Sequence, residues 1–208
     1  MLRVALTGGI ATGKSYCLEQ FERLGAKTID ADVLARDAVA KDSDGLAAVV
    51  RRFGGGVLTP DGNLDREALG RIVFEDPAAR HDLEAIIHPV VYGAISRWFE
   101  WLDANERSGT HTDTIGIADI PLLFETGHQT DFDAVIVAAC RRDQQIERLM
   151  ARGLTRTDAE HRLAAQLPIE EKTRDAEFVI DTSGPYSDTD ARIKQVWRAL
   201  SARAAAPR

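Results

Sequence analysis

The feature that most constrains this chain is an octapeptide near its start, Gly8-Gly9-Ile10-Ala11-Thr12-Gly13-Lys14-Ser15, which fits the pattern GxxxxGK[ST]. Its setting matters as much as its letters. Leu2–Leu6, apolar apart from Arg3, has the length of a strand and leads straight into it. Lys14–Leu24 follows, with Cys17, Leu18, Phe21 and Leu24 on one helical stripe and Gly25 as a stop signal. Strand, glycine-rich turn and helix are the context a phosphate-binding loop requires. Glycines let the backbone approach closely enough for its N–H groups to point at phosphate oxygens. The helix that begins near Gly13 adds the positive end of its dipole. Lys14 can then reach the β- and γ-phosphates, and the Ser15 hydroxyl can coordinate Mg²⁺. A glycine-rich turn that binds nothing has little use for a lysine aimed into it. Gly8–Ser15, with Tyr16 immediately after, is therefore expected to cradle a nucleoside triphosphate.

The rest of the chain alternates strand-length apolar runs with helical patterns. Ile115–Ile120 is apolar apart from Asp119, Ala134–Cys140 is wholly apolar, and Glu177–Ile180 ends the series. Near-continuous runs of this kind suit strands covered on both faces, as in a parallel α/β sheet. Asp188–Ala204 reads as an amphipathic helix with Ile193, Val196, Trp197 and Leu200 on one face, and Ala204–Arg208 as a frayed end. Between Asp32 and Trp101 the rhythm breaks. Helical patterns there are separated by Gly54-Gly55-Gly56, Pro60-Asp61-Gly62 and His88-Pro89, and no long apolar strand occurs, which predicts a mostly helical insertion. Ser108–Thr114 is a polar loop. Arg141–Arg174, crowded with arginine and glutamate on a helical pattern, suits a mobile, solvated flap. The expected organisation is a nucleotide-binding core of residues 1–31, 102–140 and 175–208, an insertion at 32–101, and a lid at 141–174.

Composition narrows the function classes. The 208 residues carry a net charge of −7, so non-specific binding to nucleic acid or to an anionic membrane is disfavoured, because phosphate-rich polymers select basic surfaces. A small phosphate-bearing ligand needs only local positive charge. The longest apolar run is far too short for a membrane span. Two widely separated cysteines, Cys17 and Cys140, form neither a disulfide framework nor a metal-ligand pattern, which suits a reducing compartment and a cytoplasmic protein. Neither asparagine, Asn63 or Asn105, is followed by lysine, so the Asn-Lys-x-Asp element that reads guanine is missing.

A kinase needs an acceptor site, a base or positioning carboxylate, and a flap that excludes water. Lys27-Thr28-Ile29 ends in Asp30-Ala31-Asp32, and the carboxyl ends of strands in a doubly wound sheet face the ligand crevice. A carboxylate there can take the acceptor's proton, but Asp is also a favoured helix cap, and Val33-Leu34 begins a helical run. For Asp30 the two readings are balanced; for Asp32 the functional one is preferred.

The sequence of motifs is more specific. GGIATGKS, IDAD at Ile29–Asp32, DGNLDREAL at Asp61–Leu69, IIHP at Ile86–Pro89 and PLLFE at Pro121–Glu125 occur in this order. QIERLMAR at Gln145–Arg152, AAQLP at Ala164–Pro168 and AEFVID at Ala176–Asp181 continue it. Over nearly its whole length the chain resembles the dephospho-CoA kinases. The resemblance implies an α/β fold, a doubly wound parallel sheet like that of nucleoside-monophosphate kinases, with a helical acceptor-binding insertion and a helical lid. It also implies phosphorylation of the ribose 3′-hydroxyl of dephospho-coenzyme A by ATP with Mg²⁺, the last step of coenzyme A synthesis. By position, Asp32 matches the family's proposed base, and Arg66 and His88 fall in motifs lining the acceptor side. Pro121, Leu122 and Leu123 belong to the active-site wall. Arg148 and Arg152 resemble the lid arginines that approach ATP phosphates; Gln166 and Lys172 sit in the lid motif without an assigned role.

Plainer readings exist for several of these residues. Arg148 and Arg152 could solvate an exposed helix, and Arg66 could pair with Asp65 or Glu67. His88 could end a helix before Pro89, while Trp98 and Trp101 could pack one. Ala11 stands where the family usually has glycine, a change tolerated if φ there is negative. Tyr16 replaces threonine and is expected to pack into the helix that follows. Glu177 and Thr182 replace an aspartate and an asparagine. The rival functions are a nucleoside or nucleotide kinase, distinguished by acceptor preference, and a regulatory P-loop ATPase module, distinguished by ATP turnover without an acceptor. A monomer or weak homo-oligomer is expected.

Overall fold

The computed structural model describes residues 1–108 and 114–206. The Ser108–Thr114 loop therefore lies almost wholly outside the described residues. The described chain forms two compact units, Met1–Ile29 with Phe99–Arg208, and Asp30–Trp98.

The larger unit is built on a five-stranded sheet: β1 (Leu2–Gly8), β2 (Lys27–Asp30), β3 (Ile115–Asp119), β4 (Ala134–Ala139) and β5 (Phe178–Asp181), in the order β2-β3-β1-β4-β5. β1 runs parallel to β3 and β4, and β4 parallel to β5. The central strands are buried along almost their whole length, as their continuous apolar runs require. Around them Leu6, Phe21, Ile117, Ile136, Ile180, Ile193 and Leu200 form the main core, supplied by the sheet, α1 (Lys14–Leu24) and α9 (Tyr186–Ala204). Helix α9 begins two residues earlier than the pattern suggests and runs to Ala204; residues 207 and 208 lie outside the described range. The connection after β1 leads to one edge of the sheet and that after β4 to the other. Doubly wound sheets bind ligands at such a reversal, outside the carboxyl ends of the strands.

Residues 141–174 form α6 (Arg142–Ala151), α7 (Arg156–Ala164) and α8 (Ile169–Arg174), all within the larger unit. Their apolar faces meet the phosphate loop directly: Ala11, Ile146, Leu149, Ala159 and Leu163 make a small core of their own, with Ile10 packed against it.

The smaller unit is helical, as the absence of apolar strands predicts. It comprises α2 (Ala31–Ala38), α3 (Asp44–Phe53), a 3₁₀ turn at Gly55–Val57, α4 (Arg66–Glu75) and the first part of α5 (Pro77–Ser108). Val39, Val49, Val57 and Leu69 form its core, backed by Phe53, Ile86 and Ile87. His88-Pro89 does not end a helix: α5 runs through it. Proline removes the bond to the Ala85 carbonyl, a cost of about 3 kcal/mol in an isolated helix. Ile86 and Ile87 before Pro89, and buried Val91 and Ile95 after it, anchor both sides and outweigh that loss.

Candidate active site

The strand β1 ends in the octapeptide, whose conformation follows from a few contacts. A Cβ on Gly8 would lie 2.5 Å from the Ala138 carbonyl oxygen on neighbouring β4, so only glycine lets the two backbones run this close. Gly13, the residue before α1, takes φ 84°, a left-handed conformation that suits glycine. Between them Ala11 has φ 60°. The condition under which alanine replaces glycine without strain is therefore not met, and the residue pays the left-handed penalty of about 1–2 kcal/mol.

The loop's carbonyls are turned into the protein. That of Gly9 accepts from the Thr12 hydroxyl at 2.8 Å, that of Ile10 from the Gln145 side-chain amide at 2.6 Å. The Ala11 carbonyl accepts from Arg148 Nη1 at 3.1 Å, and that of Thr12 from the Thr182 hydroxyl at 2.5 Å. Gln166 Oε1 accepts the Ile10 N–H at 2.8 Å. By contrast, the N–H groups of Gly13, Lys14 and Ser15 make no backbone hydrogen bond among the described residues. They are the orphan donors of a helix start, and with the helix dipole they make an anion site.

Lys14 Nζ bonds Asp119 Oδ1. Asp119 closes β3, beside β1, and is 4% exposed. In the sequence Asp119 stands only as an interruption of an apolar run. The missed signal is that an acid at the carboxyl end of a buried strand has a purpose there: P-loop NTPases use such an aspartate with the loop serine to hold the magnesium. Ser15 is exposed at the start of α1.

The segment after β3 is tied into the same corner. The Pro121 carbonyl accepts from the Thr7 hydroxyl and from Lys172 Nζ, each at 3.3 Å. Lys172, 1% exposed, forms an ion pair with Glu125 at 2.7 Å, and Glu125 Oε1 also accepts the Leu167 N–H at 3.1 Å. So Lys172 and Gln166, given no role from sequence, fasten α8 and the α7–α8 connection to the Pro121–Glu125 segment and to the loop. Within that segment Leu123 is fully buried, while Leu122 is exposed.

Other expected residues are placed as follows. The guanidinium of Arg148 is committed to backbone and side chains: besides Ala11 it reaches the Thr182 carbonyl at 2.7 Å and Cys140 Sγ at 3.4 Å. Arg152 sits just past the end of α6, exposed. Tyr16 turns its ring away from the loop to α9, where its hydroxyl bonds Asp190 at 2.6 Å and its ring lies 4.7 Å from that of Tyr186. The Asp190 hydrogen bond pushes its phenol up to about 12. Glu177 pairs with Arg203 at 3.0 Å on the surface. In the smaller unit, Asp30 is the cap of α2, accepting the Asp32 N–H at 2.7 Å, whereas the exposed Asp32 carboxylate has no partner among the described residues. Arg66 is exposed in the first turn of α4; its neighbours are otherwise engaged, Asp65 capping the helix and Glu67 paired with Arg71. His88 lies on α5, its ring nearly perpendicular to that of Tyr92 with the centroids 6.4 Å apart. Trp101 is 61% exposed rather than packed.

A parallel sheet carrying a glycine-rich loop with free N–H groups and a Lys–Asp pair at the loop defines the class of P-loop proteins. The model of the dephospho-CoA kinase family matches residues 2–188. A dephospho-CoA kinase of Frankia casuarinae is 44% identical over 98% of this chain and 85% of its own length. That of Geobacter sulfurreducens is 44% identical over 93% and 96%. Among solved structures, TT1252 from Thermus thermophilus aligns with TM-score 0.75 at 31% identity, covering 95% of this chain and 96% of that one. Dephospho-CoA kinase from Campylobacter jejuni aligns with TM-score 0.71 at 30% identity, covering 96% and 97%. A shikimate kinase from Acinetobacter baumannii, 12% identical at TM-score 0.52 over 99% and 96%, shares the fold alone. The chain belongs to the dephospho-CoA kinase family.

Proposed function

We propose that this chain transfers the γ-phosphoryl group of ATP to the ribose 3′-hydroxyl of dephospho-coenzyme A, giving coenzyme A and ADP. The observation that carries the reading is the phosphate loop itself, carbonyls fastened inward and N–H groups of Gly13, Lys14 and Ser15 left for an anion, in a chain of this family. The donor set also fits a magnesium ion. Ser15 offers a hydroxyl and Asp119 a carboxylate, the oxygen donors that a magnesium ion takes alongside water and phosphate. When bound, it would neutralise charge on the β- and γ-phosphates.

The chain's own residues supply position and charge. Gly8–Ser15 hold the triphosphate. Lys14, released from Asp119 by a stronger anion, follows the γ-phosphoryl group. Asp32 orients the 3′-hydroxyl and accepts its proton late in a loose transition state. Its exposed, uncommitted carboxylate, two residues beyond the end of β2, supports that role. Arg66, His88, Pro121 and Leu122 serve the acceptor side, with Leu123, fully buried, supporting that segment from within rather than facing the acceptor. Of the two arginines, Arg152 is the one free to meet phosphate; Arg148 is already engaged on the loop. The reaction is placed in the cytoplasm, with the chain acting as a monomer or weak homo-oligomer and binding neither nucleic acid nor membrane. Among the described residues no helix is long and apolar enough to cross a membrane.

Asp32→Asn tests the assignment of the base. It should bind ATP as the parent does and lose nearly all phosphoryl transfer; normal turnover by this variant removes Asp32 from the chemistry.

A further inference from the structure

The strained residue in the loop is gripped from both sides by one helix. Rotation at Ala11 is fixed by two peptide planes, the one carrying the Ile10 carbonyl and the one carrying the Ala11 carbonyl. Gln145 Nε2 holds the first at 2.6 Å and Arg148 Nη1 the second at 3.1 Å. These two side chains are three residues apart on α6, and so share a face. Gln145 is 3% exposed, so its amide has no solvent to return to if the bond is lost. The fit extends to Gly9, where a Cβ would lie 2.7 Å from the same amide nitrogen. Ala11 is buried in one apolar cluster with Ile146, Leu149, Ala159 and Leu163, so the loop is packed as well as hydrogen-bonded to these helices.

We propose that Gln145 and Arg148 are positioning residues that hold Ala11 in its left-handed conformation, keeping the loop in the shape that receives the triphosphate. The inference rests on the reading that this loop binds ATP. Free of the clamp, alanine prefers negative φ, and the peptide between Ile10 and Ala11 would turn over in most molecules. Apparent affinity then falls by the fraction still competent. Glycine enters positive φ about as readily as negative. The clamp should therefore matter to an alanine at position 11 and hardly at all to a glycine there.

That difference separates positioning from mere packing. Mg-ATP binding would be measured by calorimetry for Gln145→Ala and for Gln145→Met, which keeps the side chain's length without its donor. Each would be made in the natural chain and in an Ala11→Gly background, with thermal melts to show that each is folded. The expected result is about tenfold weaker binding in the natural chain, or about 1.4 kcal/mol, against about twofold in the Ala11→Gly background. In steady state the natural-chain variants should show a raised KM for ATP with kcat largely kept. An equal loss in both backgrounds, or no loss in the natural chain, overturns the proposal. Failure of the unaltered chain to bind ATP overturns instead the nucleotide reading beneath it.

Discussion

At the scale of single residues, chemistry and support divide between neighbours that look alike in sequence. Arg148 and Arg152 form a matched pair on paper, yet only Arg152 has a guanidinium without a partner among the described residues; that of Arg148 satisfies the carbonyls of Ala11 and Thr182. Arg152→Ala should therefore lower kcat, by up to about a thousandfold if it meets the transferring group, with ATP affinity little changed. Arg148→Ala should weaken ATP binding and lower the melting temperature, since carbonyls stripped of a partner cost about 1–3 kcal/mol. Calorimetry, melting curves and steady-state kinetics on the two variants tell these roles apart, and interchangeable phenotypes would contradict the division. The cysteines are a second case. Burial pushes the Cys17 thiol up to about 12 and raises that of Cys140, with Arg148 opposing part of the latter rise. With so little thiolate near pH 8, both should resist alkylation in the folded protein and react once it is denatured. Prompt labelling under native conditions would show the burial to be wrong. The strand–loop–helix setting of Lys14 and Ser15 was legible in the sequence because the motif is local. The Lys14–Asp119 pair was not, because a strand pairing brings together two residues 105 apart in sequence.

At the scale of elements, what the sequence disclosed was what neighbours along the chain decide. The bounds of α1 coincide with the apolar stripe and its stop, since Gly25 closes the helix at φ 110°. The ambiguity at Asp30 resolves in favour of capping, its carboxylate accepting from the N–H groups of Asp32 and Val33. Asp30→Ala should cost about 1 kcal/mol of stability, read by denaturant titration; a neutral outcome would mean that the cap carries no weight. The passage of α5 through Pro89 was hidden because it depends on packing from elsewhere in the fold. So was the tightness of Gly116, where a Cβ would stand 2.8 Å from the Phe99 ring and 3.0 Å from Leu102. Gly116→Ala should destabilise by about 1–3 kcal/mol through overpacking. A melting temperature equal to that of the parent would show that α5 yields easily over β3.

At the scale of the whole molecule, alternating apolar runs announced the sheet, and a break in that rhythm announced the helical region that forms the smaller unit, Asp30–Trp98. The strand order β2-β3-β1-β4-β5 could not be read from periodicity, which is blind to which strands pair. Nor did periodicity show that 141–174, expected as a solvated flap, carries buried Gln145, Leu149, Leu163 and Lys172 that grip the loop and the segment after β3. The direct measurement of the central claim is to incubate the purified chain with Mg-ATP and dephospho-coenzyme A, with AMP, CMP and adenosine as parallel acceptors, following ADP and phosphorylated product by chromatography and mass spectrometry. The account predicts coenzyme A, phosphorylated at the 3′ position, only with dephospho-coenzyme A, and its loss in Lys14→Ala. ADP release with no phosphorylated acceptor, or preferred phosphorylation of one of the nucleotides or the nucleoside, would contradict it.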